Sequence, residues 1–267
     1  MSESLRVAAV DLNGQLRGKR VPKNQSGKQM RMPLSVLNID VFGADIEHSP
    51  LVFDSGDQDG VMVPAGRDLI PLPWVAGAAE LDLRVMHKED GAPFEGDPRI
   101  ALSNVLDRYA RHDWQVIAAC ELEFFLLEDG GNLVPPVNPK TGRRLTGTEI
   151  LSLRELDGFD LFFNDITNGA KLMGLGDLTI TTEAGVGQFE VTMTHGPALH
   201  IADHVILLKE LIKGTARNHG MAATFMAKPF SDESGNGLHT HFSVINQAGE
   251  NIFCSQDKLQ SAVAGCL

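Results

Sequence analysis

Glu121 and Glu123 stand two apart in the apolar run WQVIAACELEFFLL, so on an extended backbone both carboxylates leave one face while Leu122 and Phe124 leave the other. Two anions that close repel unless a cation sits between or beside them, which reads as a divalent-metal ligand pair. The flanking VIAAC and FFLL place this pair on a buried central strand rather than an edge. Glu183 and Glu190 bracket the turn AGVGQF, and a hairpin there projects both toward a common point. His239 and His241 lie two apart in a strand over residues 238–244, with Leu238, Thr240 and Phe242 on its other face. Both imidazoles are therefore available to a metal or a phosphate. Just before that strand, in KPFSDESGNGLHTHFS, Gly235 and Gly237 flank Asn236, a composition that permits positive φ and close approach of backbone to ligand.

Glu121, Glu123, Glu183, Glu190 and His239 together form an oxygen-rich donor set suited to Mg²⁺ or Mn²⁺ rather than to structural Zn²⁺. Paired hard cations of this kind bridge and neutralise phosphates during transfer. His200 and His204 have the i, i+4 spacing of a helical zinc pair, but position 201 is Ile where a metalloprotease motif has Glu. They read as a surface or core-satisfied pair.

The elements that must position these residues follow from periodicity and punctuation. Residues 5–11 and 15–21 read as strands around Asn13-Gly14, a hairpin turn. Arg17, Lys19 and Arg20 read as a solvated edge that blocks further pairing. Extended segments at 50–54, 60–64 and 80–86 complete a small β-rich domain, residues 1–96. Asp97-Pro98 opens a helix, with Asp as N-cap, Pro at the first helical position and a stripe of Ile100, Val105, Leu106 and Tyr109. The second domain, residues 97–267, begins there. A long strand at 114–127 follows, then a surface loop at 129–149, a helical stretch at 152–174 and a hairpin of 177–182 with 188–194. Gly196-Pro197 opens a helix to about Asn218, with Leu199, Ala202, Val205, Ile206, Ile212 and Ala216 as its apolar stripe and Gly220 as its stop. The fold class is α+β.

A formal charge of −12 disfavours non-specific nucleic-acid binding, which needs a basic face. Cys120, Cys254 and Cys266 are odd in number and lack CxxC spacing, so neither a disulfide framework nor a zinc knuckle is expected. No basic leader followed by an apolar core opens the chain, and no run has membrane-span length, which points to a soluble cytoplasmic protein.

Glu-Leu-Glu-Phe-Phe, then EAGVGQFE, then ATFMAKPF with SGNGLHTHFS resemble, in order, the active-site motifs of the glutamine synthetase family. Asp97-Pro98-Arg99 resembles that family's entry into its catalytic domain. FFNDI, GQFEV and ADHVILLKELIKGTARNHG are most similar to the γ-glutamylpolyamine synthetase-like branch, which joins glutamate to an amine other than ammonia.

The resemblance implies a small N-terminal β-grasp-like domain followed by a curved antiparallel sheet with helices. It implies that Glu123, Glu183 and Glu190 bind one metal and Glu121 with His239 a second, that Gly235 presents its backbone to glutamate, and that His241 and Ser243 lie by ATP. It also implies a homo-oligomeric ring with sites between subunits. Ser234 stands where glutamine synthetases proper carry Asn, and VFGADI at 41–46 stands where many members carry an acidic ammonium loop. Both departures favour a bulkier or less charged amine. The chain stops at Leu267, before the downstream segment that supplies the family's arginines, so about half of the site is expected here. The alternative expectation is a non-catalytic relative that binds metal or nucleotide, or assembles with a full-length paralogue.

Overall fold

The computed structural model describes residues 4–54, 56–130, 133–254 and 257. Cys266 and Leu267 lie outside them. The chain forms two compact units, Met1–Arg108 and Tyr109–Leu267.

In the first unit, β1 (Ser4–Val10) and β2 (Leu16–Pro22) form the antiparallel hairpin read from the sequence, turning at Gly14 with φ of 70°. β3 (Met30–Pro33), the short helix α1 (Pro50–Phe53), β4 (Asp59–Pro64), β5 (Ile70–Pro71) and β6 (Ala79–His87) follow. The sheet order is β2-β1-β6-β4-β3, with β1 parallel to β6 and β5 also paired to β6. Leu5, Val7, Ala9, Met62 and Met86 fill its core with Leu37 and Phe94. β2 is an edge strand, where Arg17 pairs with Asp11 at 2.7 Å and Lys19 Nζ donates to the Arg31 carbonyl at 2.6 Å. Residues 50–54 were expected to be extended. They instead turn as α1, because Pro50 at the first helical position fixes a helix-compatible φ.

Helix α2 (Pro98–Ala110) is capped as expected: Asp97 Oδ1 accepts from the Arg99 and Ile100 amides at 2.8 and 3.3 Å, and Oδ2 from Met86 N at 2.8 Å. Its stripe is weaker than expected, with Ile100 buried but Val105 exposed.

The second unit is built on β7 (Gln115–Glu128). The ribbon β8 (Val137–Asn138) and β9 (Arg143–Arg144) lies within the expected loop, and the helical stretch divides at Phe159 into α3 (Leu153–Gly158) and α4 (Asp160–Leu172). β10 (Leu178–Thr182) and β11 (Gln188–Met193) form the second hairpin. Gly196 and Pro197 pair with Ala118 and Ile117 of β7 as β12 (Gly196–Pro197), rather than opening the helix. Helix α5 (Ala198–Asn218), β13 (Met221–Thr224) and β14 (Leu238–Ile245) complete the described part. All ladders in this sheet are antiparallel. β14 and β11 both pair with Glu121 and Leu122, so they occupy opposite edges of β7, which is central as the sequence implied. Behind the sheet, Leu122, Phe124, Phe189 and Val191 pack with Phe159, Phe162, Phe163, Ile201, Leu208 and Ile212 in a closed core. Leu199, Ala202, Val205 and Ile206 of the expected α5 stripe are only half-buried, so the helix is turned toward its Ile201, Leu208 and Leu211 side. Among the described residues, no helix is long and apolar enough to cross a membrane.

Candidate active site

Antiparallel pairing places directly opposed residues on the same face of a sheet. Glu190 of β11 faces Glu123 of β7, while Glu121 lies between Thr192 and His239. One face of the sheet thus carries Glu190, Glu123, Glu121 and His239 in two adjacent rows. His239 Nδ1 lies 3.2 Å from Glu121 Oε2, and His241 Nε2 lies 3.2 Å from Glu121 Oε1, so both imidazoles hold one carboxylate. Glu121, Glu190 and His239 each offer one ligand atom, and these atoms lie within 4.8 Å of one another. Glu183 follows β10, its amide donating to the Gln188 carbonyl at 2.9 Å. Ser243 sits on β14 opposite Ile117, its Oγ accepting from Asn251 Nδ2 at 3.4 Å.

The carboxylates of the cluster crowd one another. Burial first, and then the charge of Glu123, raises the Glu183 carboxyl above its ordinary value; burial and then Glu121, Glu183 and Glu123 do the same to Glu190. Among the described residues, no Lys or Arg ion-pairs with Glu121, Glu123, Glu183 or Glu190. Carboxylate oxygens beside imidazole nitrogens, with no lysine or arginine partner, fit a hard divalent cation. His200 and His204, on α5, do not join the cluster; His200 is exposed and His204 half-buried. Cys120 is buried, which pushes its thiol pKa up, and Cys254 is exposed; both are free thiols.

The glycine turn meets one half of the expectation, close approach, and not the other, positive φ. Gly235 and Gly237 are not among the residues with positive φ. They are required by close approach. A Cβ on Gly237 would lie 2.8 Å from Glu123 Oε1 and 3.2 Å from His239 Nε2, and one on Gly235 would lie 2.7 Å from the Ala227 carbonyl oxygen. The Gly237 amide donates to Glu123 Oε2 at 3.0 Å, so turn and carboxylate are in direct contact. Gly237→Ala is expected to displace Glu123 and weaken divalent-metal affinity about tenfold or more, in the range seen when a ligand's support is lost. Calorimetric titration with Mn²⁺ measures it, and unchanged affinity would remove Glu123 from the site.

Gln188, which sequence reasoning passed over, is the crossbar of this arrangement. It is 1% exposed, and its Nε2 reaches Glu123 Oε2 at 3.1 Å, the Gly235 carbonyl at 2.9 Å and Asn236 Oδ1 at 3.0 Å. Its Oε1 accepts from the Gly185 amide at 2.8 Å. The signal was its spacing: Gln188 stands two before Glu190 and so shares its face.

Residues 95–267 match the family described as glutamine synthetase, catalytic domain. The chain belongs to the glutamine synthetase family. It is 35% identical over 254 residues to gamma-glutamylputrescine synthetase PuuA of Escherichia coli (strain K12), covering 92% of this chain and 54% of that protein. It is 28% identical over 265 residues to glutamate–isopropylamine ligase of a Pseudomonas species, covering 96% and 57%. The GmaS/ADP complex superposes with a TM-score of 0.77 at 30% identity, covering 95% of this chain and 55% of that one. The chain spans about half the length of these relatives. The glutamine synthetase catalytic fold accounts for the sheet of β7, β11 and β14 with its packed helices.

Proposed function

We propose that the protein serves as an ATP-dependent ligase that joins the γ-carboxylate of glutamate to an amine. The observation that carries this is the acidic face, where Glu121, Glu190 and His239 converge within 4.8 Å beside Glu123 and Glu183. Glutamine synthetase-family relatives that act on putrescine and isopropylamine support an amine other than ammonia as acceptor. A relative bound to ADP supports nucleotide use.

In this reading a γ-carboxylate oxygen of glutamate attacks the terminal phosphorus of ATP and ADP leaves. The amine nitrogen then attacks the acyl carbon of the γ-glutamyl phosphate, loses a proton and expels inorganic phosphate. Divalent Mg²⁺ or Mn²⁺ supplies charge neutralisation on the phosphates. Glu123, Glu183 and Glu190 would hold one cation, and Glu121 with His239 the other; Glu190 lies close enough to Glu121 and His239 to contribute to both. Gly237 and Gln188 fix the Glu123 carboxylate. His241 steadies Glu121, and with Ser243 it lines the direction in which a nucleotide would lie. Gly235, bonded through its carbonyl to Gln188, would present its backbone to glutamate.

The first unit is taken as the family's β-grasp-like domain, with the catalytic domain beginning at Asp97 and a cytoplasmic homo-oligomeric ring completing sites between subunits. The test is ADP release in the presence of Mg²⁺, glutamate and, in turn, ammonium, putrescine or isopropylamine. Release is expected to need both glutamate and an amine and to fall at least about tenfold when either is omitted. Release indifferent to the amine would overturn the ligase reading.

A further inference from the structure

A cavity of about 380 Å³ opens between the β8–β9 ribbon and α3, and it shares no residue with the acidic face of β7. Its wall is fixed where Gly158 closes on Asn138: a Cβ on Gly158 would collide with Asn138 Nδ2. Glu155 lines this cavity and is only 8% exposed. Among the described residues, nothing hydrogen-bonds or ion-pairs its carboxylate.

That is unexpected from the local sequence. Ser152-x-x-Glu155 is a capping box, in which the glutamate normally reaches back to the amide of the serine. The forward half is formed, with Ser152 Oγ accepting from Glu155 N at 3.3 Å. The return half is displaced, because Ser152 N donates to Thr182 Oγ1 at 2.8 Å and to the Glu149 carbonyl at 3.1 Å. The Glu155 carboxylate is left to the cavity. The two cations that line the cavity are already engaged: Arg154 forks onto Glu149 at 2.9 and 3.1 Å, and Lys140 holds Asp160 at 3.0 Å. Leu145 supplies an apolar wall and Thr141 a hydroxyl. Burial and the charge of Glu149 raise the Glu155 carboxyl above its ordinary value, so a cation placed beside it would favour the ionised form that its surroundings disfavour.

We propose that this cavity binds a primary alkylammonium, its –NH₃⁺ paired with Glu155 and its short chain against Leu145. The site needs a compact cation with an apolar stem: the three N–H donors of an ammonium match a carboxylate that opens into the cavity and the hydroxyl of Thr141. The inference stands on the cavity itself and does not use the ligase reading, so each can fail alone.

The probe is n-butylammonium, titrated into the metal-free protein without nucleotide or glutamate and followed by amide chemical shifts. Binding near 1 mM is expected for so small a ligand. Shifts should centre on residues 138–145 and 152–158, and n-butanol at the same concentration should not compete. Glu155→Gln should weaken binding at least about tenfold while leaving the melting temperature unchanged or raised, since it removes a charge with no protein partner. Leu145→Lys, which places an ammonium in the cavity, should block the probe. Equal binding of butanol, an intact response in Glu155→Gln, no binding at all, or shifts centred on residues 121, 190 and 239 would each overturn the proposal.

Discussion

Glu190→Gln is expected to raise the stability of the metal-free protein and to reduce its metal affinity by about two orders of magnitude. The two effects have one cause. Glu190 and Glu123 are directly opposed across two strands, with Glu121 and Glu183 close by, and like charges so placed destabilise a sheet by up to about 1 kcal/mol. Removing one charge should therefore lift the melting temperature by roughly 2–4 °C without metal at pH 7.5. Mg²⁺ or Mn²⁺ should then add little, because one of three converging ligands has lost its anionic oxygen.

The pH dependence has a fixed sign. Glu183 and Glu190 take up protons more readily folded than unfolded, from an ordinary value of 4.5. Their contribution to stability is present below that value and is lost as pH rises through the raised folded values. Metal must displace those protons, so the metal-induced gain in melting temperature should be larger at pH 7.5 than at pH 5. Scanning calorimetry of both proteins at both pH values decides it; a Glu190→Gln variant less stable than its parent without metal would mean the carboxylates are not in mutual repulsion.

Phe189→Ala should be the most damaging single change to the second unit. Its ring is fully buried, with centroids 5.0 Å from Phe163, 5.5 Å from Phe159 and 6.1 Å from Phe124, so it joins sheet to helices behind the acidic face. Truncation costs about 3–5 kcal/mol through lost transfer energy and a cavity that the surrounding rings cannot close. Phe189→Leu should cost less than half as much. Urea unfolding monitored on the second unit provides the comparison, and a loss below about 1 kcal/mol for the alanine variant would show that the aromatic cluster is not the core.

The acidic face was legible in sequence because strand alternation is strict: once Glu121-Leu122-Glu123-Phe124 is read as central strand, the carboxylates have only one face to occupy. The same rule covered His239 and His241. Helix faces were less legible. The α5 sequence is apolar over more than half its circumference, and only packing against β7 and α4 selects Ile201, Leu208 and Leu211 over Leu199 and Val205. At 50–54 an extended segment was expected, but proline at the first helical position set the backbone. Gly235 and Gly237 were singled out for two properties, of which close approach holds and positive φ does not, since glycine composition does not distinguish a need for positive φ from a need for space. Gln188 escaped notice because an amide carries no charge to draw attention, although its four partners become evident once the turn and the strand meet.

Glu121 and His239 are separated by 118 residues of chain. At synthesis rates of about 5–20 residues per second, β7 emerges on the order of ten seconds before the strand that completes its histidine edge. Through that interval the chain holds a hydrophobic strand with an open hydrogen-bonding edge and paired carboxylates that lack their imidazole. The order of emergence thus makes the docking of β14 the step that both covers the open edge of β7 and assembles the donor set, so the nascent chain completes its central strand and its histidine ligand together.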